Sequence, residues 1–298
     1  MLFRSRDVLD SIKAQRPDLT VLLAHEGGFC DSLACRGEIF ELAEELRPGE
    51  VDLIISGHTH SRLATASKNG IPIIQARSSG TALGIVDLKR GDGKWRATAT
   101  RVENVYADVV KPDVAMERLV YDMRKRTDPV ARKTVARFRV PLPKTSEGGE
   151  YALGNLLADA QRIGTRADAA IMNNGGIRAG LPAGVVTYEQ IFQLQPFGNQ
   201  IVILDLTGAQ LLAAIEHSLK DGQPDAHVSG LAVKWDGSKP PGKRVREVRL
   251  TQGNKKLEPR RHYRVAVNDF MATGGSGFTM FRAIWRSEER RVGKECRS

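Results

Sequence analysis

Over the first hundred residues, short apolar runs alternate with a helical spacing. Residues 20–24 (TVLLA) form a β-branched apolar run, and residues 51–56 (VDLIIS) form another. Between them Ile39, Leu42, Ala43 and Leu46 recur at the i, i+3, i+4, i+7 interval of an amphipathic helix. Strand, helix and strand in that order predict a βαβ unit. Its parallel strands end at one edge of the sheet, where open α/β sheets hold ligands. Strand patterns at 71–76, 81–89 and 95–105, the last two joined by Arg90-Gly91-Asp92-Gly93, predict antiparallel hairpins after it.

The second half reads differently. Pro112 opens a segment with apolar positions at Val114, Leu119, Val120 and Met123 and a basic last turn, which predicts a linker helix over 112–130. A helix over 153–162, a strand over 169–172 and a strand over 200–206 follow. The last feeds a helix opened by Thr207-Gly208-Ala209-Gln210, the spacing of a capping box, with Leu211, Leu212, Ile215 and Leu219 on its apolar face. Strands at 244–250 and 263–268 complete the pattern. The fold class expected is therefore α/β followed, after the linker helix, by a mixed α+β domain.

Composition narrows the picture. At 298 residues the chain is long enough for two domains, and with 41% hydrophobic and 27% charged residues it is neither disordered nor fibrous. No apolar run approaches the ~20 residues of a membrane-spanning helix. The net charge of +10 comes from scattered Lys and Arg without interleaved aromatics, which reads as a solvated basic surface rather than a nucleic-acid footprint. Three cysteines do not make a disulfide framework; Cys30 and Cys35 are close enough to bridge a small loop, and bridge and free thiols stay equally open. Residues 1–6 lack the apolar stretch of an export signal. Residues 286–298 (RSEERRVGKECRS), with five basic and three acidic side chains, break off from the apolar segment before them and read as a translated sequencing-adapter scar.

Three histidines stand where the βαβ pattern places its ligand edge. His25 follows the first strand, and His58 and His60 follow the second in Gly57-His58-Thr59-His60. Imidazole is a common ligand of Zn, Mn and Fe, and in an extended chain residues two apart face the same side, so the trio is a candidate metal site.

LLAHEGG around His25 and the GHTH motif resemble the last two metal-binding motifs of the calcineurin-like metallophosphoesterase domain in the 5′-nucleotidase family. The likeness continues through LGNLLADA at 153–160, NNGGIR at 173–178, QPFGN at 195–199 and NDFMATGGSGF at 268–278. It implies a partial metallophosphoesterase sheet over 1–111, the linker helix over 112–130 and a 5′-nucleotidase C-terminal substrate-binding domain over 131–285. It further implies phosphoester hydrolysis with two divalent metal ions of the Zn or Mn kind, liganded in part by His25, His58 and His60, and a small-molecule phosphoester substrate, expected to be a nucleotide. Phe197 and Phe270 match the rings that clamp the base, Asn199 a base-contacting position, and Asn173, Gly175 and Arg178 positions that hold nucleoside and phosphate. Location would be periplasmic or secreted for the full-length protein.

The chain departs from that pattern in three places. The family's D-x-H, G-D and G-N-H-[ED] motifs, which carry the bridging carboxylate and the leaving-group acid, precede its histidine motifs, and only 24 residues precede His25. The chain therefore reads as the back half of a longer enzyme, with no catalytic residue assigned and no more than trace activity expected of it. Asp225-Ala226-His227 has the letters of the first motif but stands beside Gly and Pro, so a loop coincidence is expected. Ser276 occupies the place of an acid that would accept from the ribose hydroxyls, and Ser146-Glu147-Gly148-Gly149-Glu150-Tyr151 stands where arginines would face the phosphate. A nucleotide-sugar or another phosphoester as substrate, or a non-catalytic nucleotide-binding module, are the alternatives.

Overall fold

The computed structural model describes residues 2–91, 94–144 and 149–285. Asp92 and Gly93 of the expected turn, the segment 145–148 and the tail 286–298 lie outside the described residues. The chain forms two compact units, Met1–Leu119 and Val120–Ser298.

In the first unit, α1 (Leu2–Ala14), for which the sequence reading has no counterpart, precedes β1 (Val21–Leu23). A two-residue ladder, β2 (Phe29–Cys30) against β3 (Cys35–Arg36), leads into α2 (Glu38–Glu44), β4 (Leu53–Ile55), β5 (Arg62–Ala66), β6 (Pro72–Ala76) and the long hairpin β7 (Ala82–Gly91) and β8 (Lys94–Asn104). The main sheet has the order β1-β4-β6-β5. β1 and β4 pair in parallel, as do β4 and β6, whereas β5 runs antiparallel to β6. The βαβ expectation thus holds. Ile39, Ala43 and Leu46 are buried with Val51, Ile54, Leu63 and Ile73, so the helical stripe predicted from spacing faces the sheet.

The helix α3 (Val114–Ala131) spans the division between the units. The second unit then runs β9 (Thr134–Phe138), α4 (Ala152–Thr165), β10 (Ala169–Asn173), β11 (Gly184–Thr187), α5 (Tyr188–Leu194), β12 (Ile201–Thr207), α6 (Gly208–Ser218), β13 (Ala226–Ser229), β14 (Leu231–Trp235), β15 (Val245–Leu250), β16 (His262–Asn268) and α7 (Asp269–Ala272). Its central sheet has the order β12-β16-β10-β13. Only the middle pair, β16 and β10, is parallel. β10 is buried at every residue, as expected of a strand covered on both faces. The capping box at Thr207 and Gln210 forms as read, with each side chain bonding the other residue's backbone. Leu212 departs from the expected face: it is exposed, and Ala214 and Ser218 are buried instead beside Leu211 and Ile215.

One expectation is corrected here. Asp225-Ala226-His227 is not a loop: Ala226 and His227 begin β13, where His227 pairs with Met172 and is 1% exposed. Gly and Pro nearby mark only the turn before that strand.

Candidate functional site

Parallel pairing brings the carboxyl ends of β1, β4 and β6 to one edge, and the histidines collect there. The His25 and His58 rings meet edge to face, 5.2 Å between centroids. Gly57 borders this pair, where a Cβ would lie at an ordinary contact distance of 3.4 Å from His25 Nδ1. The extended backbone assumed for His58 and His60 is not what forms. Both adopt left-handed conformations, φ 68° and 56°, and so do Arg77 and Ser79 after β6. Four non-glycine residues held at positive φ on one edge mark an over-determined loop cluster of the kind found at functional sites.

What holds this cluster is a residue the sequence reading did not single out. Gln75 on β6 is 1% exposed. In the orientation that satisfies both ends of its carboxamide, the nitrogen donates to the Gly57 carbonyl (2.8 Å) and to Ser56 Oγ (3.0 Å). Its oxygen accepts from the backbone N–H groups of Ser61 (2.8 Å) and His60 (3.3 Å). Thr59 and Ser61 in turn donate to the Gly28 carbonyl, at 3.1 and 2.5 Å. Gly27 and Gly28 of LLAHEGG allow this contact, since a Cβ on Gly27 would sit 2.4 Å from Thr59 Oγ1 and one on Gly28 would sit 2.6 Å from the Phe40 ring. Beyond Gly28 the chain turns back through a Cys30–Cys35 disulfide, which answers the question the cysteine spacing left open.

His25, His58 and His60 do not make a metal centre by themselves. Among the described residues no group of three or more His, Cys, Asp or Glu is placed to hold a metal ion. A two-metal site needs anionic bridging oxygen, and two imidazoles in an edge-to-face contact do not supply it.

The second unit gathers the other candidates at one edge of its central sheet. β10 and β16 are parallel and both end there, and β12 begins there, its Gln200 carbonyl accepting from Asp269 N–H (2.9 Å). Asn173 ends β10 and is 2% exposed, held by Asn268 Nδ2 on its Oδ1 (2.8 Å) and donating through Nδ2 to Ser276 Oγ (3.1 Å). Ser276 is left-handed, φ 52°, and its carbonyl accepts from His217 Nε2 (2.9 Å), which assigns the ring proton to that nitrogen. Phe270 lies against the Gly275 backbone, where a Cβ would come within 2.4 Å of its ring. Phe197 precedes β12 with the Arg178 guanidinium 5.7 Å over its ring, and Arg178 is fixed through its own N–H to the Leu194 carbonyl. The two phenylalanines are 54% and 48% exposed, so neither is a core residue. Asn199 is exposed in the same loop as Phe197, and Gly175 is exposed with its carbonyl 3.4 Å from Arg178 Nη1. The structure therefore joins Asn173 to Ser276 and Arg178 to Phe197.

Two features of this edge escaped the sequence. Lys144 is held below the ordinary lysine range by partial burial and by the charge of Arg178, so two cations share this region. Behind it, the hydroxyl of Tyr151 donates to Asn174 Oδ1 (2.5 Å), and burial, with Asp225 adding to it, pushes that phenol up to about 12. The Tyr151 ring meets the His227 ring edge to face at 4.4 Å. Both nitrogens of His227 are buried without a partner among the described residues, and burial lowers its pKa.

Comparison with known proteins fits this arrangement. Residues 130–283, just over half the chain, match the family model described as 5′-nucleotidase, C-terminal domain. Among curated relatives, Endonuclease YhcR of Bacillus subtilis is 31% identical over 268 residues, covering 89% of this chain and 22% of its own. Protein UshA of Yersinia enterocolitica is 28% identical over 310 residues, covering 89% of this chain and 55% of its own. This chain thus spans from about a fifth to about half the length of those relatives. A solved 5′-nucleotidase precursor from Thermus thermophilus superposes with a TM-score of 0.70 at 26% identity, covering 93% of this chain and 59% of that one. On the match across its second unit, the chain belongs to the 5′-nucleotidase family.

Proposed function

We propose that the chain serves hydrolysis of nucleotide phosphoesters, with residues 131–285 binding the nucleotide and residues 1–111 contributing to a metal centre. The observation that carries this reading is the convergence of Asn173, Ser276, Phe270 and the Arg178–Phe197 pair at one sheet edge. A purine or pyrimidine is flat and presents a π-face, and two half-exposed phenylalanines beside glycine-bearing loops suit such a ring; stacking contributes ~1–3 kcal/mol per base. Arg178 and Lys144 give the same region the charge a phosphoester needs, and Arg178 offers the planar fork that phosphate oxygens match.

Within this reading His25, His58 and His60 are ligands toward two divalent cations of the Zn or Mn kind, which would activate a hydroxide and neutralise the phosphoryl oxygens when a complete ligand set binds them. The described residues do not complete that set. The 298-residue chain is therefore expected to release no more than trace phosphate from AMP. Robust Mn- or Zn-dependent release, abolished by His58→Ala, would overturn that expectation. The Cys30–Cys35 disulfide supports an oxidising compartment, periplasmic or extracellular. No described helix is long and apolar enough to cross a membrane.

Titration calorimetry of the full chain with adenosine and 2′-deoxyadenosine tests the reading. Binding should be measurable, tolerant of the missing 2′-hydroxyl, and weakened by Phe197→Ala and by Phe270→Ala. Absence of binding, or binding indifferent to both substitutions, would refute it.

A further inference from the structure

Positive charge that is scattered along the sequence gathers at one place in the second unit. Away from the sheet edge that holds Asn173 and Phe270, a cavity of about 600 Å³ opens between the end of α4, the start of β10 and the loop after β15, a size that takes a small molecule. Asp168 lies on its wall just before β10 and Asn173 ends that strand, so the two places are ~16 Å apart along the sheet. Four cations line the cavity: Arg162 in the last turn of α4, Arg166 at its cap, Lys255 in the loop after β15 and Arg261 just before β16. The α4 dipole favours the two that belong to that helix; Lys255 and Arg261 are brought by other segments of the chain. Few acids oppose them. Asp168 is the one carboxylate among the described lining residues, and its Oδ2 already accepts from the Arg264 N–H (2.8 Å). Glu258 meets Arg261 at 3.6 Å with both side chains more than half exposed, a weak pair in water. Among the described residues neither the Arg166 nor the Lys255 side chain has a partner. The frame that carries these cations is nevertheless held. Arg162 Nε donates to Ser229 Oγ (2.7 Å), and its Cδ lies against the left-handed Gly230, where a Cβ would come within 2.8 Å. The Arg166 carbonyl accepts from Arg264 Nη1 (3.2 Å), the Lys255 carbonyl accepts from the Leu250 N–H (2.8 Å), and the Arg261 guanidinium stands 5.4 Å over the Tyr263 ring. Like charges held around one cavity repel, and a multiply charged anion between them relieves the repulsion with little ordering left to do.

We propose that this cavity is a second anion site, separate from the nucleotide edge, and that it takes a diphosphate-type oxyanion. Guanidinium forks match phosphate oxygens in pairs, and Lys255 adds a point charge. Four cations against one occupied carboxylate favour an anion carrying several charges over a singly charged one. No aromatic side chain is among the described lining residues, so recognition stops at the phosphates and does not extend to a base. Diphosphate free in solution and diphosphate at the end of a larger molecule offer the same oxygens to these groups. The site goes beyond nucleotide hydrolysis and does not depend on it, since neither the histidines nor the phenylalanines take part.

Titration calorimetry of the full chain with diphosphate, in metal-free buffer of low ionic strength, should show binding tighter than about 1 mM that weakens as chloride is raised and exceeds that of orthophosphate or sulfate about tenfold. Arg166→Gln and Lys255→Gln, at exposed side chains that hold nothing else in place, should each weaken it about three- to tenfold, and together by more than about tenfold. Without ligand the double variant should melt at or above the parent, because it loses like-charge repulsion. Diphosphate should raise the melting temperature of the parent and leave that of the double variant unchanged. Backbone amide resonances locate the anion: those of Gly230, Thr251 and Gly253 should shift on titration of the parent and stay in place in the double variant. With those shifts present, methyl diphosphate binding as well as diphosphate assigns the end group of a larger molecule, and methyl diphosphate falling to the level of orthophosphate assigns the free ion. No binding at about 1 mM, sulfate binding as well as diphosphate, or an affinity indifferent to both substitutions would overturn the proposal. Shifts confined to Gly175 and Asn199 would overturn it too, by placing the anion at the nucleotide edge, and would leave the nucleotide reading standing.

Discussion

Gly154→Ala tests the packing behind the candidate site. Gly154 lies in the first turn of α4, and a Cβ built on it would stand 2.2 Å from Cδ2 and 2.3 Å from Cγ and Nε2 of His227. The imidazole is 1% exposed in β13 and its ring meets Tyr151 at 4.4 Å. Overpacking of a tight core costs ~1–3 kcal/mol, and separations this short belong at the upper end of that range. Alanine in place of glycine returns up to ~1 kcal/mol of helix propensity. The net loss expected is ~2 kcal/mol, or ~4–8 °C in the melting temperature of a unit this size. The assay is a thermal melt of the parent, Gly154→Ala, His227→Ala and the double variant. Removing the imidazole opens the space the methyl group needs, so the double variant should be no less stable than His227→Ala, with a coupling of ~2–3 kcal/mol between the sites. A Gly154→Ala protein that melts with or above the parent, or two substitutions whose effects simply add, would refute the argument that His227 dictates the glycine.

Other perturbations probe the same physics. Burial lowers the folded-state pKa of His227, with Glu150 opposing, so the unfolded chain binds that proton more readily; stability should be full above the ordinary histidine value of ~6.5 and fall with pH below it, by up to ~1.4 kcal/mol per pH unit. Denaturant titrations at pH 7.5 and 5.5 measure this, and His227→Phe should flatten the difference; a parent more stable at pH 5.5 would contradict it. Gln75→Leu removes the carboxamide from the His60 and Ser61 amides and from the Gly57 carbonyl, which keeps the Thr59 N–H; a loss of ~2 kcal/mol is expected in the first unit, with faster hydrogen exchange at those two amides, and unchanged exchange would remove Gln75 from its assigned role. Reducing the Cys30–Cys35 bridge, which closes a loop with a sequence separation of 5, should cost ~2 kcal/mol by the chain-entropy relation and loosen the contacts of Gly28 with Thr59 and Ser61. Peptide mapping under non-reducing conditions that finds both thiols free would show the bridge to be absent.

Much of the frame was legible in the chain itself. The βαβ unit, the capping box at Thr207 and Gln210 and the placement of three histidines at strand ends all follow from local periodicity and spacing, because burying one face of a helix or sheet imposes its period on the sequence. The motifs that carry the family likeness are likewise short and local. What periodicity does not encode is which atoms meet across a fold. His58 and His60 were expected to share a face because extended residues two apart do so, whereas the loop closes on Gln75 and puts both in left-handed backbone. Asp225-Ala226-His227 resembled a loop because its flanking Gly and Pro are visible in sequence and its pairing with β10 is not. Gly154 carries no local turn signal, since its reason is an imidazole from a strand seventy-odd positions away. Ser276 read as a lost acid; only the tertiary contacts, passing from Met271 through Asn268 and Asn173, show that its oxygen accepts from Asn173. Backbone preference is a property of neighbours in the chain, while hydrogen-bond polarity and steric exclusion belong to neighbours in space, and those exist only once the sheet has assembled.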